Sequence, residues 1–228
     1  SVLLLAAITL AVAYPNLPEI SGLTDYQPKL PMRLYSADEV LLGEFGAERR
    51  SFAPIAEIPK VMQHAVLAIE DARFYEHSGV DYKGVLRAGL AHLSEARSQG
   101  ASTITMQVAR NFYLSTEKTF TRKIYEVLLA LKIESLLSKE QILEVYMNQI
   151  FLGQRAYGFA AASEIYFGKP LKDISVAEAA MLAGLPKAPS AYNPIVNPKR
   201  ATERQQYIID RMLENGFIDA TQRDAALA

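Results

Sequence analysis

The chain has 228 residues, of which 50% are hydrophobic and 21% are charged, and its formal net charge at pH 7 is −1. This composition is typical of a folded protein of one domain or two small lobes, and the lack of a basic excess argues against nucleic-acid binding. Cysteine is absent, which excludes disulfide bonds and cysteine-ligated metal sites.

The chain begins with an apolar run, Val2 to Ala13, which Tyr14 and Pro15 end. A membrane-spanning helix needs about 20 apolar residues, so the run is too short to cross a bilayer by itself. It has neither a basic segment before it nor a clear cleavage site, as a secretory signal would. We therefore interpret residues 1–14 as the outer part of a truncated transmembrane anchor, with the rest of the chain outside the cytoplasm.

Residues 15–39 are rich in proline and predict an extended linker, which continues into a short hairpin over Met32–Glu44. From Lys60 onward, apolar residues recur at helical spacing. The pattern predicts a mainly α fold with a short extended or β N-terminal segment. We expect one domain over residues 40–215 and the start of a connector to a C-terminal region over residues 216–228. The predicted helices are Val61–Asp71, Tyr82–Ala96, Ser102–Leu114, Thr121–Leu137, one capped by Ser138 and Gln141, Ala156–Tyr166, one from Ser175 to Gly184, and Lys199–Glu214.

Two adjacent carboxylates, Glu70 and Asp71, follow the apolar run Val66–Ile69. A carboxylate at the end of an apolar helix is partly removed from water, which disfavours its charged form and suits it to act as a general base. A solvated acidic pair beside a turn has the same sequence pattern. This motif alone leaves both interpretations open.

The stretch Gly100–Asn111 combines small residues, hydroxyls, an amide and Arg110 at a predicted helix start. Backbone N–H groups point outward from a helix N-terminus and can bind an anionic, oxygen-rich group. Serine and threonine are also ordinary N-cap residues. The stretch therefore predicts the helix start and leaves an anion-binding role open.

Two cations share a predicted helix face with one carboxylate, because Arg122 and Lys123 lie four and three residues before Glu126. On an open surface such a cluster contributes little to stability. Arg110 and Lys118 lie just upstream, however, and several cations in one place suit a pyrophosphate leaving group better than a neutral substrate.

Two further patterns do not predict sites. Ser115–Lys118 has the S-x-x-K spacing of acyl-serine enzymes, but the S-x-N and K-T-G partners of that motif are absent from the sequence, so we expect no acyl-serine activity. The three histidines, His64, His77 and His92, are too scattered to indicate a zinc site.

In their order and spacing, the motifs resemble the peptidoglycan glycosyltransferases of family 51. Members of that family form the N-terminal catalytic domain of class A penicillin-binding proteins and also occur as monofunctional enzymes. The resemblance covers roughly Val40 to Leu213. It is carried by E-D-x-x-F-x-x-H-x-G from Glu70, G-A-S-T-I-T-x-Q from Gly100, R-K-x-x-E from Arg122, I-L-E-x-Y-x-N…G…Y-G…A…Y-F-G-K from Ile142, and A-E-A-A-M-L-A-G-L-P-K-A-P-S-A-Y-N-P from Ala177.

The resemblance implies a lysozyme-like helical fold with two lobes and a cleft, and it implies polymerisation of lipid II. The growing glycan on polyprenyl pyrophosphate would be the donor, and the GlcNAc 4-hydroxyl of a new lipid II would be the acceptor. By motif position, Glu70 would be the general base, and Glu126 would assist the pyrophosphate directly or through a divalent cation (Mg or Mn), with no organic cofactor. The implied substrate-binding residues are Asp71, Phe74, His77, Ser102, Thr103, Gln107, Arg110, Asn111, Lys118, Arg122 and Lys123.

The resemblance also implies a location and partners. It places a single-pass enzyme in the bacterial cytoplasmic membrane, with its catalytic domain on the periplasmic or extracytoplasmic face. The implied partners are lipid II, the growing glycan strand, membrane lipid and cell-wall synthesis proteins, and not nucleic acid.

The chain departs from the family pattern at two positions. Arg110 stands where the family often has lysine, which preserves the charge. Met106 stands where the family usually has a second glutamine, and it either faces the core or weakens one sugar contact.

Two other functions fit these residues less well. A lysozyme-like enzyme that cleaves glycans has no need for so many cations near the leaving group. A catalytically silent scaffold has no need for both Glu70 and Glu126.

Overall fold

The computed structural model describes residues 14–24, 32–46, 48–84, 102–114 and 120–228. Over these residues it has nine α-helices, four short strands and three 3₁₀ turns, so the predicted mainly helical fold is confirmed. The helices are α1 (Ser21–Thr24), α2 (Lys60–Glu70), α3 (Ile104–Tyr113), α4 (Phe120–Leu136), α5 (Lys139–Gln149), α6 (Phe159–Phe167), α7 (Val176–Ala183), α8 (Pro198–Glu214) and α9 (Ala220–Leu227). The strands are β1 (Met32–Tyr35), β2 (Leu41–Phe45), β3 (Arg49–Arg50) and β4 (Ala156–Tyr157), and the 3₁₀ turns are Tyr14–Asn16, Phe74–Glu76 and Leu171–Asp173.

Two helices begin where the capping residues in the sequence predict. Ser138 and Gln141 exchange backbone and side-chain hydrogen bonds at the start of α5. Ser175 and Glu178 form the same capping box at the start of α7. Local sequence specifies these helix ends because a cap satisfies backbone N–H groups that the first helical turn leaves without partners.

The predicted hairpin is present. Strands β1 and β2 pair antiparallel with an irregularity between Leu34 and Tyr35. The prediction of a helix from Ala156 is wrong at its start, because Ala156–Tyr157 forms strand β4, which pairs in parallel with β3. Helix α6 begins only after Gly158.

Several predictions concern residues outside the described part of the chain. The truncated anchor falls almost entirely on residues 1–13, and most of the predicted helix Tyr82–Ala96 falls on residues 85–101. In the ranges that the structure describes, no helix is both long and apolar enough to cross a membrane.

The predicted linker has more packing than its proline content suggests. Leu17, Ile20 and Leu23 are each less than 8% exposed. The ammonium group of Lys132, on α4, donates a hydrogen bond of 3.1 Å to the carbonyl oxygen of Pro18. Residues 14–24 therefore bury three apolar side chains and are joined to α4 by a polar contact.

The chain divides into two compact units. The first takes its described residues from Ser1–Tyr26 and Arg73–Val145, and the second from Gln27–Ala72 and Tyr146–Ala228. Helices α3 and α4 pack together in the first unit. In the second unit α2, α7 and α8 pack against one another, and α9 lies against α7 and α8.

Small side chains allow the close packing of the second unit. Ala65 and Ala68 of α2 and Ala180 of α7 are fully buried. Alanine brings helix backbones near one another while losing no side-chain entropy on burial. The turn before α2 is fixed by Gln63, whose side-chain amide donates hydrogen bonds to the carbonyl oxygens of Ile58 and Ile55 at 2.8 and 3.2 Å.

Asn148, near the end of α5, holds the segment that precedes α2. This buried side chain accepts a hydrogen bond from the backbone N–H of Ala53 and donates one to the carbonyl of the same residue, both at 2.8 Å. Gly158 has φ 82° and ψ 157°, a conformation open almost only to glycine. A β-carbon on Gly158 would lie 2.7 Å from the carbonyl oxygen of Asn148.

We predict that Gly158→Ala lowers the free energy of unfolding by at least about 3 kcal/mol, because backbone strain and a clash with Asn148 add together. Gly168→Ala is the matched control. Gly168 also has a positive φ of 65°, but a β-carbon there meets nothing within 4 Å. We expect the control to lose only about 1 kcal/mol in urea-induced unfolding. Equal losses in the two variants would contradict a steric role for the Asn148 contact.

The capping box of α7 predicts a pH-dependent contribution to stability. Partial burial raises the pKa of Glu178, but hydrogen bonds from Lys169 and from the backbone and hydroxyl of Ser175 outweigh it, so the net pKa lies below the ordinary value. The carboxylate also forms an ion pair with Lys169 at 2.7 Å. Because the folded state holds this carboxylate ionised, its contribution is present above the ordinary glutamate pKa and is lost as pH falls through the lowered pKa.

We therefore predict that Glu178→Gln loses about 1 kcal/mol of unfolding free energy near neutral pH, after allowance for solvent screening of this partly exposed pair. Glutamine keeps the cap geometry but not the charge. The difference from the native chain should shrink as the pH is lowered below the ordinary glutamate pKa. Urea-unfolding midpoints across this pH range provide the measurement, and a loss independent of pH would show that the charge plays no part.

Candidate active site

Glu70 is the last residue of α2, and Asp71 caps the helix. The backbone N–H of Asp71 donates to the carbonyl of Leu67 at 3.0 Å, and its side chain is buried. Glu70 is half-buried. The structure therefore places Glu70 at the end of a helix whose other turns are packed in the core of the second unit, as the sequence predicts.

The first motif is divided between the two units. Glu70 and Asp71 belong to the second unit, whereas Phe74 and His77 belong to the first. Phe74 is fully buried, its ring contacts that of His77 edge-on, and the Lys139 ammonium lies 4.2 Å from the centre of its ring. A side chain with no exposed surface cannot touch a substrate directly, so this placement favours a packing role for Phe74.

Glu126 is the most deeply buried charged group of the predicted site, with only 1% of its side chain exposed. Arg122 pairs with one carboxylate oxygen, Oε1. The ammonium group of Lys123 donates to the other, Oε2, at 2.8 Å. The pattern is therefore not a loose surface cluster, because the carboxylate lies in the protein and both of its oxygens are paired.

Lys123 also joins two segments of the first unit. Its ammonium group donates a hydrogen bond of 2.6 Å to the hydroxyl of Ser102. Ser102 precedes α3 and Lys123 lies on α4, so this contact brings the second and third sequence motifs together. Two cations on one carboxylate leave a net positive charge, and 42% of the Lys123 side chain remains exposed. The arrangement is suited to bind an anionic group whose oxygen atoms accept hydrogen bonds.

Thr103 is the N-cap of α3. Its hydroxyl accepts a hydrogen bond from the backbone N–H of Met106 at 3.2 Å and donates one to the carbonyl of Gly79 at 2.6 Å. Because a hydroxyl has one proton to donate, that proton is already engaged. The placement favours a structural role for Thr103, which is buried.

The remaining predicted residues of α3 differ in exposure. Gln107 is buried, Arg110 is half-buried and Asn111 is exposed. Their spacing from Thr103 is that of one helix face, which leads outward from the buried start of α3. Met106 is 2% exposed, so of the two alternatives for this departure the structure selects the core-facing one. Lys118 lies outside the described residues.

A second buried carboxylate, which sequence reasoning missed, connects α3, α4 and α5. Glu134 accepts hydrogen bonds from the hydroxyl of Thr105 at 2.6 Å and from the ammonium group of Lys139 at 2.7 Å. Nothing in the local pattern shows this network, because its three members are up to 34 residues apart. It fixes the start of α3, and thereby the backbone next to Ser102.

The two histidines that the structure describes, His64 and His77, pack against aromatic side chains. His64 stacks on Phe217, with 4.7 Å between ring centres. Burial and the nearby ammonium group of Lys60 lower the pKa of His64. His77 is buried beside Phe74. His92 lies outside the described residues.

The residues that the structure describes include no group of three or more His, Cys, Asp and Glu side chains that would hold a metal ion. The donor set at Glu126 does not fit a divalent cation either. Both carboxylate oxygens are already paired with cationic side chains, and those cations would repel a metal.

A helical domain that presents a buried, cation-paired carboxylate beside a serine is suited to a phosphate-bearing substrate, and comparison with known proteins specifies the class. Residues 38–213 match the transglycosylase family. Penicillin-binding protein 1A of Neisseria gonorrhoeae is 60% identical over 224 residues, which are 98% of this chain and 28% of that protein. A Cupriavidus necator protein named for transglycosylase activity is 54% identical over 98% of this chain and 88% of its own length.

A solved structure supports the same family assignment. The crystal structure of penicillin-binding protein 1A from Haemophilus influenzae matches with a TM-score of 0.50 and 31% identity, over 88% of this chain and 20% of that one. The chain thus spans between a fifth and little more than a quarter of the length of these two penicillin-binding proteins. It belongs to the transglycosylase family, glycosyltransferase family 51, and is a glycosyltransferase.

We predict that Glu134→Gln lowers the free energy of unfolding by at least about 2 kcal/mol, because it leaves the Lys139 ammonium without the negative charge that it is paired with. The matched control is Glu214→Gln. Glu214 also pairs with a cation, Arg211, but 59% of its side chain is exposed. We expect the control to lose less than about 0.5 kcal/mol. Urea unfolding of both variants is the measurement, and similar losses would show that the Glu134 network does not stabilise the first unit.

Proposed function

We propose that the chain is a peptidoglycan glycosyltransferase that polymerises lipid II into glycan strands for the bacterial cell wall. The observation that carries the proposal is the buried Glu126 carboxylate, which is paired with Arg122 and Lys123, the second of which also donates to Ser102. Penicillin-binding relatives and the transglycosylase match support the same substrate class.

The cation cluster acts on the donor. When the anomeric carbon of the growing glycan is attacked, the polyprenyl pyrophosphate leaves with its bonding electrons and additional negative charge. That charge is offset in the transition state by Arg122 and Lys123. Arg110 and Lys118 bind the same pyrophosphate in this proposal. A pyrophosphate so compensated departs without protonation, unlike the alkoxide that a glycoside hydrolase must protonate.

In this proposal Glu126 orients the cations and does not transfer a proton. Arg122 and Lys123 have long, flexible side chains, and a fixed carboxylate between them restricts both before the substrate binds. This preorganisation lowers the cost of positioning charges at the moment of reaction. A divalent cation at Glu126 has no part in this route.

Glu70 acts on the acceptor. The GlcNAc 4-hydroxyl of lipid II attacks the anomeric carbon with inversion, and a base must take its proton as the new glycosidic bond forms. Glu70 is half-buried at the C-terminus of α2. A carboxylate that is partly exposed at a helix end can reach a bound hydroxyl and accept its proton.

The proposed setting is the extracytoplasmic face of the bacterial cytoplasmic membrane, where lipid II presents its headgroup. A single-pass anchor, the growing glycan strand, membrane lipid and other cell-wall synthesis proteins belong to this setting. The apolar run at the start of the chain and the penicillin-binding relatives support it.

We predict that Glu70→Gln lowers the rate of lipid II polymerisation by at least about 100-fold, because glutamine cannot accept the proton. Glu76→Gln is the matched control, since Glu76 is a carboxylate of the same motif with 66% of its side chain exposed. The control should keep nearly full activity. Both variants are assayed in detergent or in bilayers for glycan strands and for released polyprenyl pyrophosphate, with lipid II binding measured separately.

The outcomes separate the rival functions. Comparable polymerisation by Glu70→Gln would show that Glu70 is not the base. Cleavage of preformed glycan with no released pyrophosphate would identify a lysozyme-like enzyme. If the native chain binds lipid II but turns over none, it is a scaffold and the proposal fails.

A further inference from the structure

The loop between α7 and α8 ends in two adjacent β-branched side chains, Ile195 and Val196, that point into solvent. Each is 63% exposed, more than most large apolar residues that the structure describes. We name this pair the apolar tip. Single exposed apolar residues are common on proteins, but a neighbouring pair with so much free surface at a loop end is a feature of binding surfaces.

The exposure of the apolar tip is built into the loop. The side-chain oxygen of Asn193 accepts hydrogen bonds from the backbone N–H groups of Ile195 at 2.9 Å and Val196 at 3.3 Å. Asn193 itself is 4% exposed. The side-chain amide of Asn197 donates to the carbonyl of Ser190 at 3.0 Å and holds the two sides of the loop together.

Prolines stiffen the same loop. Pro194 directly precedes the apolar tip, and Pro198 opens α8 two residues after it. Proline reduces the entropy that a segment must lose when it docks. The protein therefore presents Ile195 and Val196 in a nearly fixed conformation. In a flexible loop, two apolar side chains would be expected to fold back onto the protein surface.

Exposed cations flank the apolar tip along the chain. Lys187, Lys199 and Arg200 are exposed, and Arg204 lies one turn along α8 from Arg200. Glu203 is the only carboxylate between residues 186 and 204. The loop surface therefore has a clear positive excess on a chain whose formal net charge is −1.

Two arginines of the same region lie over tyrosine rings. The guanidinium groups of Arg200 and Arg204 lie 6.0 and 5.6 Å from the ring centre of Tyr192, and Arg204 is also 5.6 Å from that of Tyr207. Tyrosine is enriched where proteins meet the lipid–water interface, because one end of its side chain is apolar and the other is polar.

We propose that the apolar tip inserts into the headgroup region of an anionic phospholipid bilayer, with Lys187, Lys199 and Arg200 on the lipid phosphates. Burial of a branched side chain and attraction of each cation to an anionic surface both favour this contact. Together these are enough to orient a protein that is already held near the membrane. The biological setting rests on the proposed function, but the contact itself does not require catalysis.

The chain contains no tryptophan, so one introduced tryptophan is the only indole reporter. We choose Ile195→Trp as the probe. The matched control is Phe151→Trp, because Phe151 is also an exposed large side chain of the second unit, at 42%. Vesicles of phosphatidylcholine with about one third phosphatidylglycerol, with and without brominated acyl chains, provide the anionic surface.

We expect the emission of the Ile195→Trp variant to shift to shorter wavelength on binding and to be quenched at least about twofold more by brominated lipid than that of the control. Position-specific quenching is the readout because the apolar N-terminal run can bind vesicles by itself. Adding Lys199→Glu to the probe variant should reduce its quenching, through repulsion from the anionic surface. Near-native far-UV circular dichroism confirms that each variant is folded.

Three results would overturn the proposal. The probe could stay unquenched while the chain co-sediments with the vesicles, which would leave a protein partner as the occupant. The probe and the control could be quenched equally, or the probe could already be shielded without vesicles. Lipid II polymerisation measured on the same samples separates the two proposals: quenching without activity removes only the proposed function, and activity without quenching removes only the membrane contact.

Discussion

The pairing of Glu126 with Arg122 and Lys123 is the interaction on which the candidate site depends. An isolated carboxylate with 1% exposure would be strongly destabilising, so Glu126 requires its cations. One partner would neutralise the charge, whereas two leave a net positive charge that can act on a substrate. The same contact reaches Ser102 and fixes the segment before α3. Stability and chemistry therefore depend on the same few side chains.

Buried polar side chains elsewhere in the first unit support this arrangement. Glu134 fixes the start of α3 through Thr105, and Thr103 fixes the preceding turn through Gly79. Gly79 has φ 88°, and a β-carbon there would lie 3.0 Å from the backbone of Ala130, on α4. A glycine and two threonines thus position a segment whose exposed members can meet a substrate. Motif residues accordingly fall into two groups, those that hold the backbone and those that remain accessible.

In the proposed function the second unit has a different role, which is to present a single carboxylate, Glu70, from a well-packed helix. Helix α2 is packed against α7 and α8, and the turn that precedes it is fixed by Gln63. Tyr166 adds a further restraint to the loop before α6, since its hydroxyl donates to the carbonyl of Leu152 at 2.8 Å. Burial raises the pKa of Tyr166 to about 12, so this donor keeps its proton throughout the physiological range. The unit is a stiff scaffold that places Glu70 at the end of its central helix.

The sequence by itself determined the helices and their ends, because helix periodicity and caps such as Ser175 with Glu178 involve residues only a few positions apart. It also determined the order of the motifs, and hence the family. Only the tertiary structure decided which motif residues are buried. Phe74, Thr103 and Lys123 are all motif residues. Phe74 and Thr103 nevertheless lie inside the protein, because burial is set by what packs over a residue. The Glu134 network and the exposed Ile195–Val196 pair were equally invisible in the sequence, since each depends on contacts, or on their absence, that local patterns do not encode.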